Sequence, residues 1–309
     1  MIATVPKIGG PDKFRSHGKP LMTFISGPFA WSLRLLALLL AFSQVSALAM
    51  TIEFADSAGK RASASKGLPI LLLSGEIKSG DNEKLERFVY VNRKDIDVDI
   101  GVGPVRIIVF LDSPGGDIEE ALKLATTLKE MMAEVEVGPR THCASSCFLL
   151  YVNAPIHNAA AGAVAVHRPY YPSEKVRDLS ATDAARLHNE IYRGLKKWLQ
   201  DRLVPQAIIE KMLGAPSSGA YELTREDLDA IGDRAAWYEE WLLARCPDYL
   251  RAEAEGKRLV AEGHELDKQT EDVLDCEADA LGPEISAGLN RIGARQFQAA
   301  IKKYSKPKN

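Results

Sequence analysis

An α/β fold with largely parallel strands is predicted by three features of the sequence. Short apolar runs such as Ile70-Leu71-Leu72-Leu73 and Ile107-Ile108-Val109-Phe110-Leu111 break off in Gly- or Pro-containing turns. Between them lie segments whose apolar residues recur every three or four positions, as an amphipathic helix requires. Strand and helix patterns then alternate along the chain, which favours parallel pairing with helices packed on the sheet.

Taken in order, residues 70 to 77 read as a buried strand broken at Gly75, and residues 80 to 90 as a short helix around Leu85, Phe88 and Val89. A second strand, 106 to 111, is bounded by Gly103-Pro104 and by Ser113-Pro114-Gly115-Gly116. Asp117 then caps a helix with apolar positions Ile118, Ala121, Leu122, Ala125, Leu128 and Met132. Val135-Glu136-Val137 is a short alternating strand leading into Thr-His-Cys-Ala-Ser-Ser-Cys-Phe, residues 141 to 148. Ala163-Val164-Ala165-Val166 is a further small apolar strand, ending at His167. Tyr170 to Lys175 forms a polar loop, and Ser180 to Asp183 has the spacing of a capping box. The helix it opens carries Ala184, Leu187, Ile191, Leu195 and Trp198 on one face. Another helix starts near Pro205, Tyr221 to Thr224 is extended, and Arg225 to Ile231 is a short helix ended by Gly232. Residues 236 to 309 form a helical extension with a basic tail, Lys302, Lys303, Lys306 and Lys308, read as a cap on the fold or a partner-binding helix pair.

Composition narrows the functional classes. The chain has 309 residues, is 46% hydrophobic and 26% charged, and carries a net charge of −3, so no basic surface for nucleic acid is expected. Its N-terminus has a basic lead with Lys7, Lys13, Arg15, Lys19 and Arg34. An apolar core, Leu35 to Phe42, and an Ala47-Leu48-Ala49 site follow. That pattern is a cleavable export signal covering residues 1 to 49. Met22 is an alternative start to Met1. The 16 residues from Leu35 to Met50 are interrupted by Ser43, Gln44 and Ser46, short of the ~20 a bilayer needs. Membrane contact is therefore expected only if this segment is retained. Export permits pairing of Cys143 with Cys147, four apart as on one face of a helical turn, and of Cys246 with Cys276. Four unpaired buried thiols are the alternative. No His or Cys cluster has zinc-type spacing, so neither a metal nor another cofactor is expected.

Ser145 and Ser146 precede the apolar run Phe148 to Val152, where a helix N-terminus offers free N–H groups to an anion. Both serines could equally serve only as caps. The Gly115-Gly116 turn upstream and His167 downstream raise a catalytic reading, in which the histidine activates a hydroxyl. Together, Gly-Glu-Ile at 75 to 77, Asp-Ser-Pro-Gly-Gly at 112 to 116, Ala-Ser-Ser-Cys at 144 to 147 and Val-His-Arg-Pro at 166 to 169 resemble the Clp protease proteolytic subunit and its exported relatives in the Clp/crotonase superfamily. The resemblance covers about residues 68 to 235 and implies a spiral of β-β-α units over a domain of residues 50 to 235. It implies Ser145 as nucleophile, His167 as general base, and the N–H groups of Gly116 and Ser146 as oxyanion hole. The family's third triad member, an aspartate, falls at Ala220, and Glu222, two residues on in an extended segment, is the candidate to substitute for it.

Three functions follow from these readings. The first is an envelope or periplasmic serine hydrolase or peptidase acting on peptide or protein substrates, without an AAA+ unfoldase because ATP is lacking there. The second is a catalytically degenerate Clp-like module for binding or assembly. The third is a thioester enzyme of the same superfamily, disfavoured because coenzyme A is not expected outside the cytoplasm. The resemblance admits a homo-oligomer. The export reading predicts a mature chain beginning at Met50. N-terminal sequencing of secreted material checks this, and a chain still carrying residues 35 to 42 refutes it.

Overall fold

A computed structural model describes residues 49–60, 69–97, 106–171, 176–216 and 218–305. The segment up to residue 48 that is read as an export signal, Gly103-Pro104, residues 172 to 175, Lys306 and Lys308 lie outside the described residues.

Two sheets at different levels build the fold. The larger has the order β1 (Thr51–Phe54), β2 (Ile70–Ser74), β3 (Ile108–Asp112), β4 (Glu134–Val137), β6 (Ile156–Ala159). Strands β2, β3, β4 and β6 run parallel, and β1 is an antiparallel edge on β2. The smaller sheet pairs β5 (Cys143–Ala144) in parallel with β7 (Val164–Val166), which pairs antiparallel with β8 (Tyr221–Glu222). Isolated bridges Ile77↔Gly116 and Ser113↔Cys143 extend this second layer.

The chain therefore repeats one step: a strand in the large sheet, a short extended pass through the second layer, and a helix back. Strand β2 with Ile77 leads to α1 (Asp81–Val91), followed by a single-turn α2 (Arg93–Ile96). Next, β3 with Ser113 to Gly116 leads to α3 (Ile118–Glu130). Then β4 and β5 lead to α4 (Cys147–Asn153), and β6 and β7 to α5 (Ala181–Gln200). This is an α/β spiral of β-β-α units. Sequence periodicity dictates most of it: β2 is apolar on both faces because helices cover a parallel sheet on both sides. Asp117 caps α3 by accepting from the Glu120 N–H at 3.0 Å.

Three expectations needed correction. Cys143 and Cys147 do form a disulfide, with Cα atoms 5.3 Å apart, but not within one helical turn. Cys143 lies in β5 and Cys147 opens α4, so the bridge spans a strand-to-helix turn. Ile118 and Leu122 are half-buried and leave the core to Leu124. Strands β1 and β6 have no counterpart in the sequence reading, because each is only four residues long and mixes polar with apolar side chains.

After α6 (Gln206–Gly214), β8 and α7 (Arg225–Ile231), three helices pack onto the α/β core: α8 (Ala236–Leu243), α9 (Tyr249–Ala261) and the long α10 (Lys268–Ser305). Residues Ala47–Asn309 form one compact unit. A second disulfide, Cys246–Cys276, ties α10 to the segment between α8 and α9. Beside it, Glu277 accepts hydrogen bonds from Tyr238, Tyr249 and Arg106, the last at 2.8 Å. Burial alone would raise the Glu277 carboxyl, but Arg106 and the two phenols hold it below its ordinary value. Further along α10, a Cβ at Gly288 would stand 1.6 Å from the Glu130 carbonyl oxygen, and Arg295 reaches Glu86 at 2.8 Å and Glu130 at 2.6 Å. Among the described residues no helix is long and apolar enough to cross a membrane.

His157 on β6 is buried, stacks edge-on against Tyr151 at 4.7 Å, and leaves its Nε2 without a hydrogen-bond partner. Burial pushes its pKa down to about 4. The unfolded chain thus binds a proton near pH 6.5 that the folded chain refuses until about pH 4, so stability is full above 6.5 and falls as pH drops between the two. The loss should be on the order of 3 kcal/mol. Denaturant unfolding at pH 7 and pH 4.5 checks it: His157→Phe should flatten the fall, and an unchanged slope would assign the acid sensitivity elsewhere.

Candidate active site

Ser145 sits where β5 turns into α4, with φ of +57°. The left-handed region is unfavourable for a residue with a Cβ, by roughly 1–2 kcal/mol, and persists only where the surroundings enforce it. Here the enforcement is local. The Ser145 N–H donates to the Ala165 carbonyl at 2.9 Å, and the Cys143–Cys147 bridge closes the turn around it. The next residues, Cys147 to Asn153, are all buried, so α4 is fixed in the core and its N-terminus points back at the turn.

The Gly115-Gly116 turn packs directly on this elbow. A Cβ at Gly115 would lie 2.5 Å from the Ala144 carbonyl oxygen and 2.9 Å from the Ser146 nitrogen, and one at Gly116 would lie 2.1 Å from the Ile77 carbonyl oxygen. Only glycine allows that approach. Ser146 ties the two turns together: its side chain is buried and its hydroxyl donates to the Gly116 carbonyl at 3.1 Å. Neither the Gly116 nor the Ser146 N–H donates to a protein acceptor among the described residues. Ser145, by contrast, is half-buried and faces a cleft of about 850 Å³.

His167 follows β7 and lines the same cleft. Its Nδ1 lies 2.9 Å from the Arg168 carbonyl oxygen. A carbonyl can only accept, so this contact selects the neutral tautomer protonated at Nδ1, the one whose acceptor is Nε2. The Arg168 backbone is itself held, its N–H donating to the Ala215 carbonyl at 3.1 Å. No hydrogen bond joins Ser145 to His167 among the described residues. Contacts of this kind commonly tighten only when substrate is bound.

Glu222 is not brought to His167. The register of β7 with β8 sets Glu222 opposite Ala165, and its carboxylate lies 3.7 Å from the Cβ position of Gly162, toward the other end of β7. Continued by one residue, that register faces His167 with Ala220. The sequence reading also passed over the Arg168 carbonyl, because a backbone acceptor leaves no trace in residue type. It placed Ile191, Leu195 and Trp198 on one face of α5 without saying what that face meets; all three line the cleft together with Ile118 and Leu122 of α3. Tyr170, Tyr171, Lys78 and the acidic residues Glu76, Asp117, Glu119 and Glu190 line it as well. Among the described residues no cluster of His, Cys, Asp or Glu could hold a metal ion.

No family model matches the chain, and no curated protein does. Solved structures do resemble it. A mutant of the 1510-N membrane-bound stomatin-specific protease is 18% identical over 53% of this chain and 75% of that one, with a TM-score of 0.37. The ClpP1 protein of Listeria monocytogenes is 17% identical over 54% and 88%, with a TM-score of 0.36. A probable enoyl-CoA hydratase of Mycobacterium tuberculosis is 15% identical over 83% and 99%, with a TM-score of 0.30. The chemistry of Ser145 and His167 rests on the site's own geometry.

The left-handed turn predicts an inversion of the usual substitution order. Ser145→Gly should be more stable than Ser145→Ala by about 1 kcal/mol, since glycine enters that region without a Cβ clash. Urea denaturation of the two variants measures the difference, and an alanine variant as stable as the glycine one would mean the turn is not held left-handed in solution.

Proposed function

We propose that the protein is a serine hydrolase acting on peptide or protein substrates in an oxidising, extracytoplasmic compartment. The observation that carries the reading is the pairing, across one cleft, of a serine on an enforced left-handed elbow with a histidine whose tautomer is set for accepting a proton. In the first step His167 Nε2 takes the Ser145 proton as Oγ bonds to the substrate carbonyl carbon. The carbonyl oxygen becomes an oxyanion, for which the Gly116 and Ser146 N–H groups are the donors at hand. The imidazolium then gives its proton to the leaving amine as the C–N bond breaks, and water repeats the sequence on the acyl-enzyme.

The Arg168 carbonyl supplies orientation and tautomer but no negative charge. In triads, removing the orienting carboxylate costs on the order of 10⁴ in kcat, so a slow enzyme is expected. The two disulfides support the compartment, and four cleft carboxylates against Lys78 favour a peptide over a polyanionic coenzyme A thioester. The second reading, a non-catalytic Clp-like module for binding or assembly, is favoured by one observation, the alanine in register with His167.

A fluorophosphonate probe separates the two, since only an activated hydroxyl attacks phosphorus readily. Wild-type protein should label at Ser145, Ser145→Ala and His167→Ala should not, and Glu222→Gln should label within about twofold of wild type, its carboxylate lying away from the imidazole. No labelling of folded protein between pH 6 and 9 leaves the non-catalytic module standing. Labelling at Ser146 overturns the assignment of the nucleophile.

A further inference from the structure

Glycine disfavours a helix relative to alanine, so a glycine inside one calls for a reason. At three other glycines inside helices the reason is close packing. Gly256 on α9 faces Leu266 at 3.3 Å, Gly288 on α10 abuts the Glu130 carbonyl, and Gly293 faces Tyr90 at 3.7 Å. Gly194, in the interior of α5, is exposed, and a Cβ there would meet nothing within 4 Å. Its open side borders the cleft that holds Ser145 and His167.

Its place on the helix gives that space a shape. Ile191, Gly194 and Trp198 are three and four residues apart and so share one stripe, and all three line the cleft. Gly194 is a notch in an apolar stripe. Ile118 and Leu122 of α3 line the same cleft. The Trp198 side of the notch is held in place, because the Arg202 guanidinium stacks on the Trp198 ring at 3.6 Å and donates to Asn153 Oδ1 at 2.7 Å. Asn153 ends α4, the helix that begins beside Ser145, so notch and nucleophile are referenced to one rigid element.

We infer that Gly194 is a specificity-determining residue: its missing side chain leaves room, between Ile191 and Trp198, for a bulky apolar side chain of the peptide cut at Ser145. The inference rests on the hydrolytic reading of Ser145 for the word cut, but the room and its lining do not depend on it. Filling the notch shortens the reach of the pocket without touching the elbow or the histidine.

Two alkyl fluorophosphonates, ethyl and dodecyl, and two dansylated peptide amides, Ala-Ala-Phe and Ala-Ala-Ala, test it on the full mature chain. Wild type should label faster with the dodecyl than with the ethyl probe, and Gly194→Phe should lower that rate ratio by at least about tenfold, with Gly194→Ala intermediate. On the Ser145→Ala background, the Phe peptide should bind about tenfold more tightly than the Ala peptide, and adding Gly194→Phe should erase the difference. A Gly194→Phe protein that folds, by its thermal transition, and keeps both ratios overturns the inference. Wild type that reacts with neither probe yet keeps a Gly194-dependent peptide preference overturns the hydrolytic reading instead, and leaves the notch as a ligand pocket. Loss of both overturns both.

Discussion

The site depends on one constrained turn. Ser145 is held left-handed between a two-residue strand and a fully buried helix, and three separate contacts keep it there. The disulfide from Cys143 to Cys147 closes the turn covalently, Gly115 presses against it from the second layer, and the Ser146 hydroxyl anchors the neighbouring loop. The turn needs such support, because left-handed backbone is favourable only for glycine. Through Asn153 the same helix gathers three neighbours. It donates to the Ala125 carbonyl of α3, accepts from Arg202 beyond α5, and its carbonyl accepts from Trp237 of α8.

A backbone carbonyl stands where catalytic histidines more often meet a carboxylate. The two partners are alike in geometry and different in charge. Both fix the imidazole tautomer, but only a carboxylate stabilises the imidazolium that forms when the serine proton moves. On the proposed hydrolytic reading, orientation is kept and driving force reduced. Glu76, Asp117, Glu119 and Glu190 also line the cleft, but the partner of the imidazole Nδ1 is the Arg168 carbonyl.

Elements governed by local rules were legible in the sequence. Asp117, Ser180 and Thr224 each cap the helix that follows, and Gly232 ends α7 with φ of +86°. The alternation of apolar strands and amphipathic helices carried the fold class, and the order of Gly115-Gly116, Ser145 and His167 carried the cleft. What could not be read are features set by partners far along the chain. Leu122 and Trp198 have the spacing of core residues, and only the packed helices reveal that a cleft separates them. Glu222 has the right residue type and the wrong register partner, and register in a two-residue strand is fixed by its neighbours. Gly194 drew no comment in the sequence, because the space beside it is set by the packing of α5.

The link between Arg106 and Glu277 bears on when the fold can be finished. Arg106 precedes the central strand β3, while its carboxylate partner arrives at residue 277 of 309. Until that stretch has been made, the Arg106 guanidinium has only Glu134, at 3.6 Å, as its carboxylate, and the phenols of Tyr238 and Tyr249 lack their acceptor. Contacts so distant in sequence are made late and slowly. A nascent chain built this way leaves that buried cluster of two phenols and a guanidinium unfinished until residue 277 has been made.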